Sequence, residues 1–212
     1  QEYLTLQRNF VRKFNISSGN YLLHYPLIRT AFDLLAMPDN HIPITHLSAL
    51  LRSSILFDSE ELAKTSFVEK QLYEEELSCI SADSLLNQLQ KHEVKHEQAF
   101  KNLLTDKLRL QNCRQSMQQW LQQAQQWLLL FNWPGEKTLD SHDYQLVQSF
   151  QESLQTLTQL DACNQLFSLS DFLQHVKNHL MKTLFQPQSK QEPIQILGLL
   201  EGIGLQFDVL YI

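Results

Sequence analysis

The chain has 212 residues, of which 43% are hydrophobic and 19% charged, and a formal net charge of −6. That is enough apolar mass to bury a core, so it is neither a disordered tail nor a uniformly basic coat for nucleic acid. With only five glycines and six prolines, long helices are favoured over many short strands, in one large domain or one domain plus part of a neighbour.

Tyr3, Leu6, Phe10, Val11 and Phe14 fall at helical spacing and predict a first helix, ended by the turn residues Ser17-Ser18-Gly19-Asn20. A second helix is expected from Tyr25 to Ala36, broken by Met37-Pro38-Asp39-Asn40, and Pro43 opens a short one carrying Leu47, Leu50 and Leu51. Asp58 or Ser59 caps the next, with Glu60 and Glu61 in the first turn, where the helix dipole favours negative charge. Its far end is acidic at Glu74, Glu75 and Glu76, a pattern that reads as a solvated face.

From Ser81 to about Phe131 the pattern stays helical, with breaks near Lys91 to Glu93 and near Asn112. Met117, Trp120, Leu121, Ala124, Trp127, Leu128 and Phe131 make one apolar stripe, and Gln118, Gln119, Gln122, Gln123, Gln125 and Gln126 cover the opposite face. The glutamine-rich stretch therefore reads as amphipathic helix, not low-complexity disorder. Trp133-Pro134-Gly135 stops it, and Asp140 or Ser141 starts a helix whose expected buried face is Tyr144, Val147, Phe150, Leu154, Leu157 and Leu160. Ser168 and Asp171 form a capping-box pattern before Phe172, Leu173, Val176, Leu180 and Leu184. After Gln186-Pro187, Ile194 to Gly198 and Phe207 to Ile212 read as two strands joined through Glu201-Gly202-Ile203-Gly204. Two short strands are rarely stable alone, so they are expected to belong to a larger sheet.

Cys79, Cys113 and Cys163 are far apart and lack C-x-x-C spacing, which implies neither a disulfide framework nor a zinc ribbon and points to a reducing cytoplasm. No apolar run reaches the roughly 18–20 residues that cross a bilayer, so no membrane partner is expected. The chain begins at Gln1 and not at methionine, which suggests a piece of a longer polypeptide.

His92-Glu93-Val94-Lys95-His96 satisfies H-E-x-x-H, which on a helix puts two imidazoles on one face to hold zinc beside a general base. Its surroundings, Lys91, Lys95, Glu97 and Gln98, are polar, and no third ligand follows, so a solvated face is the preferred reading and no metal is expected. His175 and His179 are read as surface residues beside the stripe of Val176 and Leu180. No phosphate-cradling G-x-x-x-x-G-K-[ST] and no G-x-S-x-G elbow occurs, so neither a nucleotide cofactor nor a nucleophilic site is expected. Lys91, Lys95, Lys101, Lys107, Arg109 and Arg114 are candidate DNA contacts, although the interspersed Glu93, Glu97 and Asp106 suit an ordinary solvent face better.

Trp133-Pro134-Gly135-Glu136-Lys137-Thr138-Leu139-Asp140-Ser141, with Tyr144-Gln145, resembles a segment of the bacterial "probable DNA repair protein" family, relatives of the inactivated helicase subunit AddB. The tail, Phe185-Gln186-Pro187, then Pro193 to Glu201 and Gly204 to Asp208, resembles that family's next block. Leu50-Leu51-Arg52-Ser53-Ser54, followed by Glu60, is similar to the leucine-arginine-serine-proline motif in the helical domain of RecB-type helicases, with Ser54 in the proline's place. The resemblance touches residues 47 to 212 in patches and is most specific in the last 80. Superfamily I helicases carry a T-x-H-x-x-K-G-L-E motif near this tail. Aligned on Gly204-Leu205, its threonine falls at Gly198, its histidine at Leu200, its lysine at Ile203 and its glutamate at Gln206, so the groups that contact DNA and nucleotide are replaced.

The resemblance implies a mostly all-α chain. Residues 1–190 would form a helical 2B-like domain, and residues 191–212 the start of a motor-like 2A-like domain with a short pair of strands. The expected role is a non-catalytic accessory domain of a bacterial helicase-nuclease-like DNA-repair protein. Its partners would be DNA, the remaining domains of the parent chain and a helicase-nuclease partner subunit, with any nuclease lying elsewhere in the parent. Two alternatives stand beside it: a helical protein-interaction module that never touches DNA, favoured by the acidic net charge, and, more remotely, a zinc hydrolase using His92 and His96.

Overall fold

The computed structural model describes residues 14–16, 19–135, 138–186, 194–196, 198, 206 and 208–209. These are mostly helical and contain eight α-helices: α1 Pro26–Ala36, α2 Ile44–Leu51, α3 Ser59–Glu74, α4 Ala82–Lys91, α5 Glu97–Leu110, α6 Met117–Leu130, α7 Ser141–Thr156 and α8 Leu169–Leu180. Two 3-10 helices, Leu22–His24 and Leu157–Cys163, accompany six short strands: β1 Phe14–Ile16, β2 Asn20–Tyr21, β3 Ile42–Pro43, β4 Cys79–Ile80, β5 Leu184–Phe185 and β6 Ile194–Ile196. No helix of the described residues is long and apolar enough to cross a membrane.

The core is built around α1. Pro26 opens it, where a missing N–H costs nothing. Leu27, Ile28, Ala31, Phe32, Leu34 and Leu35 are all buried, because α2, α6, α7 and α8 pack on different sides of this one helix. Most later helices start on a side-chain cap. Asp58 opens α3, Ser81 opens α4 and Asp140 opens α7, while Ser116 with Gln119 and Ser168 with Asp171 close capping boxes at the starts of α6 and α8. The start of α6 has a second acceptor. Asp161, in the second 3-10 helix, receives the N–H of Met117 at 2.6 Å and of Gln118 at 3.0 Å, placing a carboxylate at the positive end of the helix dipole.

The apolar stripe of α6 is buried as its spacing predicts, with Phe131 just beyond it, and its glutamines are exposed apart from a half-buried Gln123. All three indoles find acceptors for their N–H groups. Trp120 donates to the Phe167 carbonyl at 2.8 Å, Trp133 to the Leu27 carbonyl at 3.0 Å and Trp127 to Asp106 at 3.4 Å. A buried donor without a partner would cost about 1–3 kcal/mol.

The strands tie chain-distant segments together. β3 and β4 are antiparallel, with Ile42 opposite Ile80. β2 and β5 are antiparallel, with Asn20 opposite Phe185 and Tyr21 opposite Leu184, and the Leu22 N–H extends the ladder to the Thr183 carbonyl at 2.9 Å. Gly19 lies so close to this ladder that a Cβ there would sit 2.9 Å from the Phe185 carbonyl oxygen. β1 and β6 are parallel, with Phe14 opposite Ile194 and Ile16 opposite Ile196. The chain thus enters and leaves the helical body through neighbouring extended segments, which together form a neck.

Two expectations are corrected here. Phe14 is in a strand, not at the end of a helix; Tyr3, Leu6, Phe10 and Val11 lie outside the described residues. β6 pairs with β1; of the second expected strand, 207–212, Asp208 and Val209 form a bend and the rest lies outside the described residues. A parallel pair cannot be joined by a tight turn, and here the whole helical body is the crossover. Tyr144 and Leu184 are 63% and 61% exposed, because Tyr144 lies on the outer side of the first turn of α7 and Leu184 belongs to the neck, past the end of α8.

Candidate nucleic-acid interface

The tail segment with the expected motif positions is only partly within the described residues. Gly198 and Gln206 are exposed, and Leu200, Ile203, Gly204 and Leu205 lie outside the described residues.

The H-E-x-x-H pattern is not on a helix. His92 is the C-terminal cap of α4, His96 precedes α5, and Glu93 between them has φ 51°. The spacing that aligns two imidazoles on a helical turn therefore does not apply. His92 Nε2 lies 3.4 Å from the Gln71 side-chain oxygen, and His96 Nε2 lies 3.0 Å from the Leu56 carbonyl. The expectation of a solvated face fails at His96, which is buried between the rings of Phe57 and Phe131. His175 and His179 are half-buried, His175 edge-on to Phe167 and His179 Nε2 3.0 Å from the Thr156 hydroxyl.

The six basic candidates do not form one stripe. Lys91 and Lys95 lie at the α4–α5 junction beside α3, Lys101 and Arg109 are exposed on α5, and Arg114 is exposed in the loop before α6. Arg109 pairs with Asp106 at 3.1 Å. Lys107 must be removed from the set, since its side chain is buried with 1% of the residue accessible and cannot reach a phosphate. Its Nζ donates to the Leu35 carbonyl and, at 2.6 Å, to the Met37 carbonyl, and lies 5.2 Å from the Trp127 ring centroid. Lys107 thus closes the C-terminal end of α1, where carbonyls lack intrahelical partners and the dipole favours a cation. Burial, opposed by the charge of Asp39, pushes its ammonium down to about 7.

The leucine-arginine-serine segment forms the joint between α2 and α3. Leu50 and Leu51 are buried, Arg52 Nε donates to Glu69 at 2.8 Å, and the Thr65 hydroxyl donates to the Leu51 carbonyl at 2.8 Å. Ser53 faces back to α1, with its hydroxyl 3.1 Å from that of Thr30. In the other resembling segment, Trp133 is the anchor, with its ring edge-on to Phe150.

No family model, curated protein or solved structure matches this chain.

Two groupings escaped the sequence reading. Asp140, His142 and Asp143 bring two carboxylates and an imidazole within 4.8 Å. They lie at the N-terminus of α7, where Asp140 accepts the Asp143 N–H at 2.8 Å and His142 packs on Tyr25 and Phe185. That is an end of the dipole that disfavours a cation, and the trio ties α7 to the neck. The second grouping is on α3 and α4. The Phe67 ring is 63% exposed and parallel to the imidazole of His92, with 6.5 Å between centroids and 6° between planes. In the sequence His92 stands out only through the H-E-x-x-H pattern, and nothing local links it to Phe67.

Proposed function

We propose that this chain acts as a non-catalytic helical accessory domain of a helicase-nuclease-like DNA-repair protein, inserted into a motor-like parallel sheet and contributing contact with DNA. One observation carries the reading: β1 and β6 are parallel neighbours, and the described residues between them form a mostly helical body. Parallel strands are stable almost only inside sheets covered on both faces. A two-stranded parallel pair with a helical body for its crossover is therefore the geometry of an insertion into a larger sheet, and an inserted 2B-like domain has that form. The polar groups missing at Gly198, Leu200, Ile203 and Gln206 support a scaffold in place of a motor. In this reading the remaining domains of a bacterial, cytoplasmic parent and a helicase-nuclease subunit are its partners, and any nuclease chemistry belongs to other parts of that parent.

Phosphate release from ATP tests this reading. The purified chain, with and without single-stranded DNA, is expected to hydrolyse no ATP beyond the buffer rate. Turnover abolished by substitutions within the chain would end the scaffold reading. The coding sequence on either side supplies an independent check, with a motor-like domain expected before the segment.

A further inference from the structure

Phe67 is too exposed to serve the core, yet it is held in place. Its ring lies against His92, and both His92 Nε2 and Lys91 Nζ lie 3.4 Å from the side-chain oxygen of Gln71, one turn beyond Phe67 on α3. The end of α4 is thereby fixed alongside α3 with the ring pair between them. Lys64 is one turn before Phe67 and Lys70 one turn after, on neighbouring positions of the same helix face.

Several carboxylates of this surface are engaged, while the exposed Glu60 and Glu93 keep negative charge near Lys64. Glu61 receives Lys64 Nζ at 2.7 Å and the Lys95 N–H at 2.8 Å, Asp58 caps α3, and Glu69 turns inward to Arg52. The pair between Lys70 and Glu74 is 3.6 Å long with both side chains mostly exposed. Such pairs contribute little and exchange readily for a phosphate. An exposed ring flanked by ammonium groups matches the surface on which single strands bind, with a base stacked on the ring and the backbone following the charges. Duplex DNA hides its base faces and cannot use the ring.

We propose that the α3–α4 surface binds single-stranded nucleic acid, with Phe67 as the stacking platform and Lys70 and Lys91 as phosphate contacts. This deepens the accessory-domain reading and rests on it for its biological setting. Fluorescence anisotropy of a labelled oligothymidylate, titrated with the whole chain at several salt concentrations, tests it. Binding is expected to fall steeply with salt, and Phe67→Ala to weaken it about five- to one-hundred-fold. Phe67→Trp should retain it, and Phe67→Leu, which keeps apolar area without a ring, should behave like the alanine variant. Lys70→Glu with Lys91→Glu should weaken binding and flatten the salt dependence, whereas Lys101→Glu and Arg114→Glu, away from this surface, should not. Salt-dependent binding that Phe67→Ala leaves intact overturns this surface while leaving DNA contact in place elsewhere. No binding at low ionic strength also overturns it and favours the protein-interaction alternative; the insertion reading is then judged separately by the ATP measurement and the flanking sequence. Phe67 is exposed, so circular dichroism should show an unchanged fold in its variants.

Discussion

Lys107 shows how far one residue's role can depart from its type. As one of several basic residues on α5, it reads as solvent-facing, and its neighbours Leu108 and Arg109 are indeed exposed. Its acceptors, however, are the carbonyls of Leu35 and Met37, about seventy positions earlier, and no pattern within α5 announces them. The neutral amine still has two N–H donors, so both carbonyls stay satisfied after the proton leaves. The folded chain releases that proton near pH 7, and the unfolded chain near the ordinary value of 10.5. Between those values the unfolded chain binds more protons, so stability from this group rises with pH, by at most roughly 1.4 kcal/mol per unit, and is flat below about pH 7. Urea denaturation of the wild type and Lys107→Met from pH 6 to 10 should show the wild type gaining relative to the variant above pH 7. Parallel pH profiles for the two would contradict the burial argument. His96 teaches the same lesson: its polar neighbours in sequence predicted a solvated face, but its contacts, Leu56, Phe57 and Phe131, come from distant segments.

At the scale of elements, the starts of helices were the most legible feature. Asp58, Asp140 and the pair Ser168 and Asp171 cap where their residue types predict, since capping is a local bargain between a short polar side chain and the next turn's N–H groups. The two-residue strands β3 and β4 were not legible, because two residues carry no periodicity and Ile42 meets Ile80 only across the intervening α2 and α3. The second 3-10 helix was read simply as more of the stripe through Leu157 and Leu160, which hid Asp161's role at the start of α6. Asp161→Ala should lower stability by about 1–2 kcal/mol, read as a reduced denaturation midpoint, by removing the acceptor for two helix-start N–H groups. Asp161→Asn, which keeps one acceptor oxygen, should lose less. Equal losses in both variants would show that one acceptor oxygen does not suffice and that the charged carboxylate is required.

For the whole molecule, composition and apolar spacing sufficed for a mostly helical body, whereas the path of the chain through it was hidden. Ile194 to Ile196 could be read as a strand from residue type, but its partner, Phe14 to Ile16, is at the opposite end of the sequence, inside what helical spacing had claimed. Pairing across such a separation is decided by the body that brings the ends together. The candidate surface was partly visible: Lys91 was among the basic candidates, but Phe67 became relevant only once α4 lay beside α3.

The neck has an architectural consequence. Asn20 and Phe185 face each other as ladder partners, so the two ends of the helical body are as close as the two sides of a β-hairpin turn. Such a body is a cassette. Residues 19–186, spliced into an exposed hairpin turn of an unrelated β-protein, should fold there without prying the host strands apart, because the host ladder runs straight into the one that β2 and β5 already form. The host's melting temperature and the helical circular dichroism of the chimera measure this directly. A large drop in the first, or loss of the second, would show that the body needs β1 and β6 to hold its ends together.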